Sequence, residues 1–260
     1  HFLALLCSRA GLYVFGNAEY PSLIRGGHNS NLIRVADQEV SIHTETVNLL
    51  LAMNKETLDL HVGEISTGGG VIYDGETIKD YDFTGLRQAA GKTVEDITIF
   101  NVPLKKLAME KGQGEITRNT VGLGASLALV GLDIKYLLEV LKGAFARKGE
   151  AVVAQNLAAA QAGYDYIIDN FGGETVGAVP GSVDFAYKLV PVERQSKRII
   201  LTGNEAVCLG ALKAGVKFVA EYPMTPSSTV LHFMAARARD FNIIVKHTED
   251  ELAAINMVVG

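Results

Sequence analysis

A stretch rich in glycine and proline divides this chain and constrains its fold more than any other feature. Residues 172–197 hold four glycines and two of the chain's six prolines and end in a charged run, which is typical of an interdomain linker. On either side, apolar runs typical of strands alternate with helical patterns, and this alternation favours parallel sheets with crossover helices. We therefore expect an α/β protein with domains over residues 1–171 and 198–260.

Hydrophobic patterning predicts most elements of the first domain. Asp133 is placed to cap a helix, and a second helix covers Ala151 to about Ile168. Val47–Met53 looks helical at its start, and Asp74-Gly75 is a hairpin turn signal. The predicted strands are Leu12–Phe15, Leu32–Val35, Glu39–His43, Leu58–Val62, Gly70–Tyr73 and Ile97–Val102.

The second domain is predicted to repeat the alternation of strands and helices. Asn204 is placed to cap a helix that runs to about Lys213. A loop at Tyr222–Ser228 enters a second helix, and a third helix starts near Thr248. The predicted strands are Arg198–Leu201, Lys217–Ala220 and Ile243–His247.

Charge and composition exclude several classes of function. With 24 basic and 29 acidic residues the net charge is −5, which disfavours nonspecific binding to nucleic acid or to a membrane surface. No apolar run approaches the roughly 18 residues of a membrane-spanning helix. Cys7 and Cys208 lie far apart in the sequence, so we expect reduced, buried thiols of a cytoplasmic protein. The six histidines lack metal-binding spacing, so no metal site is predicted.

Two glycine patterns resemble nucleotide-binding motifs without meeting them. Gly85 to Thr93 has five residues between its glycines where a phosphate loop has four, and a β-like segment follows it. Gly122-x-Gly124 continues to Leu127 where the dinucleotide motif needs a third glycine, so a tight helix entry is favoured. A nucleotide-binding Rossmann protein is therefore disfavoured.

Two polar clusters remain as candidate sites, and structural explanations exist for both and for Glu251. Glu19–Asn29 is explained by a surface loop that needs glycine backbone freedom. In the loop before the second helix, Thr225 fits an N-cap and Pro226 fits the first helical position. Thr248 and Glu251 have the spacing of a capping box. From spacing alone, these structural explanations are favoured over catalysis.

Five segments in register resemble the alpha subunit of 2-oxoacid:ferredoxin oxidoreductases, in the form in which a gamma domain precedes the thiamine pyrimidine-binding domain. Glu19–Asn29 is similar to the gamma-domain sequence E-Y-P-S-x-x-R-G-G-H-N, and Arg118–Thr120 is similar to its R-N-T segment. In the second domain, Gly203–Ala206 is similar to G-N-E-A, Tyr222–Ser228 to Y-P-[IM]-T-P-S-S and Glu249–Asn256 to E-D-E-x-A-A-x-N.

The resemblance implies a fold and an activity. It implies a gamma-type α/β domain over residues 1–171, without its first strand, and over 198–260 the start of a pyrimidine-binding domain that continues past Gly260. It also implies oxidative decarboxylation of a 2-oxo acid to acyl-CoA, with thiamine diphosphate as cofactor and ferredoxin as electron acceptor. A partner beta subunit would hold the diphosphate through Mg²⁺ and carry an iron–sulfur cluster.

The resemblance also implies roles for particular residues. Glu251 is the carboxylate that pairs with N1′ of the aminopyrimidine, and such a carboxylate in a buried cleft suits a proton relay. By the same resemblance, Thr225 would contact the 2-oxo acid. The other cofactor-loop residues are Tyr222, Pro223, Pro226 and Ser227. The coenzyme A side would include Arg25, Gly26 and Gly27.

Two alternatives to this enzyme stay open on the sequence. One is a gamma–alpha assembly subunit without chemistry of its own, and the other is the Rossmann protein already disfavoured. The substrate is also open among 2-oxoglutarate, pyruvate, branched-chain and aryl oxo acids.

Overall fold

The chain divides into two units, residues 1–197 and 198–260. The computed structural model describes residues 1–19, 27–83, 97–172, 183–193 and 198–260, and the segment Gly85 to Thr93 lies outside these ranges. Both units combine helices with parallel strands, so the expected α/β class is confirmed. In the described part of the chain, no helix is both long and apolar enough to cross a membrane.

The first unit has a three-stranded parallel sheet and a separate antiparallel strand pair among its described residues. The strands are β1 (Tyr13–Glu19), β2 (Ser30–Ala36), β3 (Val47–Leu51), β4 (Ile65–Tyr73) and β5 (Ile97–Asn101). The helices are α1 (Phe2–Arg9), α2 (Lys55–His61), α3 (Leu104–Lys111), α4 (Arg118–Val130), α5 (Lys135–Phe145) and α6 (Glu150–Phe171).

The central strand β4 organises the core of the first unit. It pairs in parallel with β3 on one side and β5 on the other. Val71 packs into a cluster with Leu58 of α2, whereas the next residue, Ile72, packs into a cluster with residues of α4 and α6. Because successive side chains of a strand point to opposite faces, both faces of β4 are buried.

Helices α4 and α6 approach so closely that glycine is required at their contact. A Cβ atom on Gly124 of α4 would lie 1.9 Å from the Ala160 carbonyl oxygen of α6. In the reverse direction, a Cβ atom on Gly163 of α6 would lie 2.0 Å from the Val121 carbonyl oxygen of α4. Gly122 and Gly124 lie inside this helix, which begins at Arg118. The helix entry predicted for these glycines is therefore wrong.

Residues 183–193, inside the predicted linker, pack on the first unit. Phe185 is buried in the cluster that includes Ile72. The Tyr187 hydroxyl donates to the Thr67 carbonyl at 2.8 Å, and the Leu189 amide donates to the Val130 carbonyl at 2.8 Å. This segment is therefore part of the first unit rather than a free connection.

In the first unit, one segment predicted as a helix is a strand, and one segment predicted as a strand is mostly a helix. Val47–Leu51 is a strand paired in parallel with β4, and its apolar residues fit a strand as well as a helix. Leu58–Val62 was predicted as a strand but lies mostly in α2. That helix starts where the Asn54 side chain accepts a hydrogen bond from the Thr57 amide at 2.8 Å.

Two further predictions, a strand and a hairpin turn, are wrong. Glu39–His43 forms no strand, and Ile42 is 67% exposed. Asp74-Gly75 is not a hairpin turn, because β4 and β5 are parallel. Asp74 is buried instead, and its carboxylate accepts from the Thr77 amide at 3.1 Å and from the Lys105 amide at 2.8 Å.

The second unit contains two parallel strands and three helices among its described residues. The strands are β6 (Phe218–Glu221) and β7 (Ile244–His247), and the helices are α7 (Gly203–Lys213), α8 (Ser228–Phe241) and α9 (Glu251–Val259). Its core consists of Cys208, Phe233, Met234 and Ile243. The predicted strand at Arg198–Leu201 is not formed, and Ile199 there is 76% exposed.

The contact between α4 and α6 yields a stability prediction with a matched control. We expect Gly124→Ala to lower the free energy of unfolding by about 3 kcal/mol, because the added methyl group overlaps a backbone carbonyl that is fixed within α6. Gly143→Ala adds the same methyl group to α5 where nothing lies within 4 Å. It should raise stability by about 0.5–1 kcal/mol through helix propensity. Urea unfolding of both variants tests this, and equal effects would contradict it.

Cys7 yields a prediction on pH dependence. Burial raises the pKa of this thiol from its ordinary value near 9 to about 12. Above pH 9 the unfolded chain therefore binds fewer protons than the folded chain, and the free energy of unfolding falls with rising pH. The expected loss is about 1.4 kcal/mol per pH unit until the pH approaches 12. Urea titrations at several pH values should show that Cys7→Ala lacks this pH-dependent loss. If the free energy of unfolding fell equally with pH in both proteins, the prediction would be wrong.

Candidate functional site

The strongest candidate site lies at the carboxyl edge of the two parallel strands of the second unit. Glu221, the last residue of β6, is paired with His247, the last residue of β7. The Thr248 amide donates to the Glu221 carbonyl at 3.0 Å, so the segments that follow both strands start side by side. In open α/β sheets, ligands bind at this edge. We call residues 221–227 and 248–251 the edge site.

The loop after β6 presents Thr225 to solvent. Thr225 and Pro226 are exposed, whereas Tyr222, Pro223 and Ser227 are half-buried. Within the described part of the chain, no hydrogen-bond partner is found for the Thr225 hydroxyl. This hydroxyl is therefore available to a ligand.

The predicted capping roles of Thr225 and Pro226 are wrong. Helix α8 begins at Ser228, so both residues lie in a turn that precedes the helix. The turn is closed by the Ser227 amide and the Ser227 hydroxyl, which donate to the Met224 carbonyl at 2.7 Å and 2.8 Å. The loop thus has its own hydrogen bonds and does not depend on the Thr225 side chain.

The segment after β7 ends at Glu251, which is the first residue of α9. The N-cap of this helix is Asp250, whose side chain accepts from the Ala253 amide at 2.6 Å, and Thr248 donates to the Asp250 carbonyl at 3.1 Å. The capping box predicted for Thr248 and Glu251 is therefore wrong. The Glu251 carboxylate is exposed and has no partner among the residues that the structure describes.

Glu221 adds a second carboxylate that the sequence analysis missed. Its Oε1 atom is buried and has no hydrogen-bond partner among the described residues. Burial raises the pKa of the nearby Cys208 thiol, and the negative charge of Glu221 adds to that rise. The sequence signal for Glu221 is its position, directly after the predicted strand Lys217–Ala220 and directly before a motif loop. A buried acceptor without a donor at the ligand-binding edge of a sheet favours a ligand that donates hydrogen bonds.

Helix α7 also contacts the edge site, although its N-cap was predicted wrongly. Thr202 is the N-cap and forms a full capping box with Glu205. Asn204 is instead the second residue of the helix. Its side-chain amide donates to the Pro226 carbonyl at 2.9 Å and to the Thr229 hydroxyl at 2.6 Å.

The residues predicted for the coenzyme A side belong to the first unit. Arg25 and Gly26 lie outside the described residues, and Gly27 is exposed with a positive φ of 84°. Beside them, His28 contacts His61 through their Nε2 atoms at 2.8 Å, and His61 Nδ1 contacts the Glu64 carboxylate at 3.1 Å. The described residues contain no group of three or more histidine, cysteine or acidic side chains that could hold a metal ion.

Two family models match the chain in the order of its two units. The model described as pyruvate ferredoxin/flavodoxin oxidoreductase matches residues 1–166. The model described as pyruvate flavodoxin/ferredoxin oxidoreductase, thiamine diphosphate-binding, matches residues 209–260.

A curated relative and a solved structure are similar to nearly the whole chain. The alpha subunit of a 2-oxoacid:ferredoxin oxidoreductase from a Sulfolobus species is 29% identical over a match that covers 96% of this chain and 44% of that relative. A solved 2-oxoglutarate:ferredoxin oxidoreductase from Magnetococcus marinus, with 2-oxoglutarate, coenzyme A and succinyl-CoA bound, has a TM-score of 0.80 at 26% identity. The structural match covers 100% of the present chain and 42% of the Magnetococcus chain.

A third comparison concerns the fold of the first unit. The gamma subunit of a keto/oxoacid ferredoxin oxidoreductase from Geobacter sulfurreducens has a TM-score of 0.51 at 21% identity, over 65% of this chain and 88% of that chain. The chain thus spans less than half the length of the Sulfolobus relative but most of the gamma subunit. Since the first family model covers well over half of its residues, the chain belongs to the pyruvate ferredoxin/flavodoxin oxidoreductase family.

Proposed function

We propose that this chain forms part of the alpha subunit of a 2-oxoacid:ferredoxin oxidoreductase. The enzyme would oxidatively decarboxylate a 2-oxo acid, transfer the acyl group to coenzyme A and pass the electrons to ferredoxin. The observation that carries the proposal is the edge site, where Thr225 and Glu251, the two residues implied by the family motifs, follow neighbouring parallel strands. The match to the Sulfolobus alpha subunit over 96% of the chain supports it.

The edge site fits the aminopyrimidine end of thiamine diphosphate. That ring carries an amino group and accepts a proton at N1′, so its recognition calls for carboxylates. Glu251 has a carboxylate without a partner in the described structure, and Glu221 has a buried Oε1 atom without one. Tyr222, Pro223, Pro226 and Ser227 would form the wall beside the ring.

Glu251 and Thr225 have separate chemical tasks in the proposal. Thiamine diphosphate, when bound, would supply the carbon nucleophile of the reaction. Glu251 would hold a proton between its carboxylate and N1′ of the aminopyrimidine. The Thr225 hydroxyl donates to the carboxylate or carbonyl of the 2-oxo acid and so orients it.

The remaining groups of the reaction are proposed to reside outside this chain. A beta subunit would hold the diphosphate through Mg²⁺ and carry the iron–sulfur cluster. Cys7 and Cys208 support this division, because both thiols are buried and their pKa values are raised, which disfavours the thiolate that a cluster requires. Coenzyme A is bound in the Magnetococcus relative, which supports it as the acyl acceptor here, with Arg25, Gly26 and Gly27 on its side. The assembled enzyme would work in the cytoplasm.

Glu251→Gln tests the role of the carboxylate. We expect turnover by the chain assembled with its beta subunit to fall by roughly 10²–10⁴-fold, because an amide cannot share the proton with N1′. The fold should persist, because Glu251 bonds to no described residue and the change preserves volume. The measurement is 2-oxo-acid-dependent reduction of ferredoxin, with circular dichroism as the check on folding.

Glu110→Gln is the matched control, because Glu110 is also exposed, has no partner among the described residues and lies outside the edge site. It should retain normal turnover. Near-normal turnover of Glu251→Gln would disprove the catalytic role. A wild-type complex that binds no thiamine diphosphate and turns over no 2-oxo acid would instead favour the non-catalytic assembly subunit.

Thr225→Ala tests the substrate contact. We expect the KM for the 2-oxo acid to rise about 10-fold, which corresponds to one hydrogen bond to a charged group. Since Thr225 lies outside α8, stability should stay within about 0.5 kcal/mol of wild type. Thr225→Ser keeps the hydroxyl and should keep the KM. Unchanged kinetics of Thr225→Ala would reject the contact.

A further inference from the structure

Asn204 connects helix α7 to the turn that carries Thr225. Its Nδ2 atom donates to the Pro226 carbonyl at 2.9 Å and to the Thr229 hydroxyl at 2.6 Å. A side-chain amide has two N–H donors, so one amide can make both bonds. The two acceptors lie on either side of the start of α8 and more than twenty residues along the chain from Asn204. The bonds are therefore tertiary contacts that fix the turn with respect to α7.

The first turn of α7 is itself held in place. The Thr202 hydroxyl accepts from the Glu205 amide at 3.2 Å, and the Glu205 carboxylate accepts from the Thr202 amide at 2.8 Å. This capping box fixes the backbone on both sides of Asn204. Farther along α7, Cys208 is buried against Phe233 and Met234 of α8. Asn204 thus projects from a fixed helix end towards the turn.

The turn needs such an anchor from outside. Thr225 and Pro226 are exposed, so little apolar burial holds them. The bonds made by Ser227 to the Met224 carbonyl close the turn but do not orient it against the rest of the unit. The bond to the Pro226 carbonyl acts on the residue directly after Thr225.

We propose that Asn204 is the positioning residue of the edge site, which holds the turn so that the Thr225 hydroxyl meets the 2-oxo acid. This inference rests on the proposed function, because it assigns Asn204 a role in binding that substrate. Asn204 acts through Thr225 and touches no reacting atom.

The first experiment measures the position of the turn without any catalysis. Hydrogen exchange on the full chain reports the Ser227 and Ser228 amides, which both donate to the Met224 carbonyl. We expect their protection to fall about 10-fold in Asn204→Ala and in Asn204→Asp, since an aspartate of the same shape has no N–H donor. Ala206→Gly weakens the same helix through propensity and leaves both Asn204 bonds in place, so it is the control. Equal exchange in the Asn204 variants and the control would overturn the proposal.

The second experiment measures the consequence for substrate binding in the complex with the beta subunit. The KM for the 2-oxo acid should rise about 10-fold in Asn204→Ala, while the KM for coenzyme A stays unchanged. Thr229→Val should show a smaller rise because it removes one of the two acceptors, and Thr229→Ser should restore the wild-type KM. If lost helix stability alone raised the KM, Ala206→Gly would show the same rise as Asn204→Ala.

The outcomes separate this inference from the function on which it rests. A wild-type complex without 2-oxo acid turnover would overturn the proposed function, and the exchange data would then still show whether Asn204 holds the turn. An active wild-type complex with an unchanged KM in Asn204→Ala would overturn the positioning role alone.

Discussion

Parallel pairing of strands is the constraint on which the rest of this structure depends. Parallel neighbours cannot be joined by a tight turn, so a longer crossover must connect them and its helices cover the sheet faces. In the first unit this buries both faces of β4, with Val71 and Ile72 in different clusters. In the second unit it brings the ends of β6 and β7 to one edge, where the segments with Thr225 and Glu251 begin.

The helix layer of the first unit follows from a backbone contact rather than from apolar matching alone. Gly124 and Gly163 each lie against a carbonyl of the opposite helix, so α4 and α6 pack with almost no side chain between them at that point. Residues 183–193 pack on the same unit, since Phe185 is buried in the cluster that includes Ile72 and backbone bonds join Leu189 to Val130 and Val192 to Ala10. A segment with the composition of a linker is thus held by burial and hydrogen bonds.

The edge site has side chains available for other contacts because neighbouring residues cap the helix ends. Asp250 caps α9, which leaves the adjacent Glu251 carboxylate without a structural task among the described residues. Thr202 and Glu205 cap α7, which leaves the amide of Asn204 to bond with the loop after β6. The buried, unpartnered oxygen of Glu221 lies at the start of that loop. Helix capping and ligand chemistry are therefore assigned to different residues that are neighbours in the chain.

The sequence by itself determined the α/β class, the main strands and helices and the family. Apolar periodicity is a local property of the chain, and several motifs in the same order are specific to one family. Only the tertiary structure decided which polar residue caps each helix, since Thr202, Asn204, Thr248 and Asp250 all have side chains suited to that task. It also decided that Val47–Leu51 is a strand, because pairing with β4 selects one of the two structures that the pattern fits. The close contact at Gly124 and the isolation of Glu221 Oε1 depend on distant partners, so no local pattern encodes them.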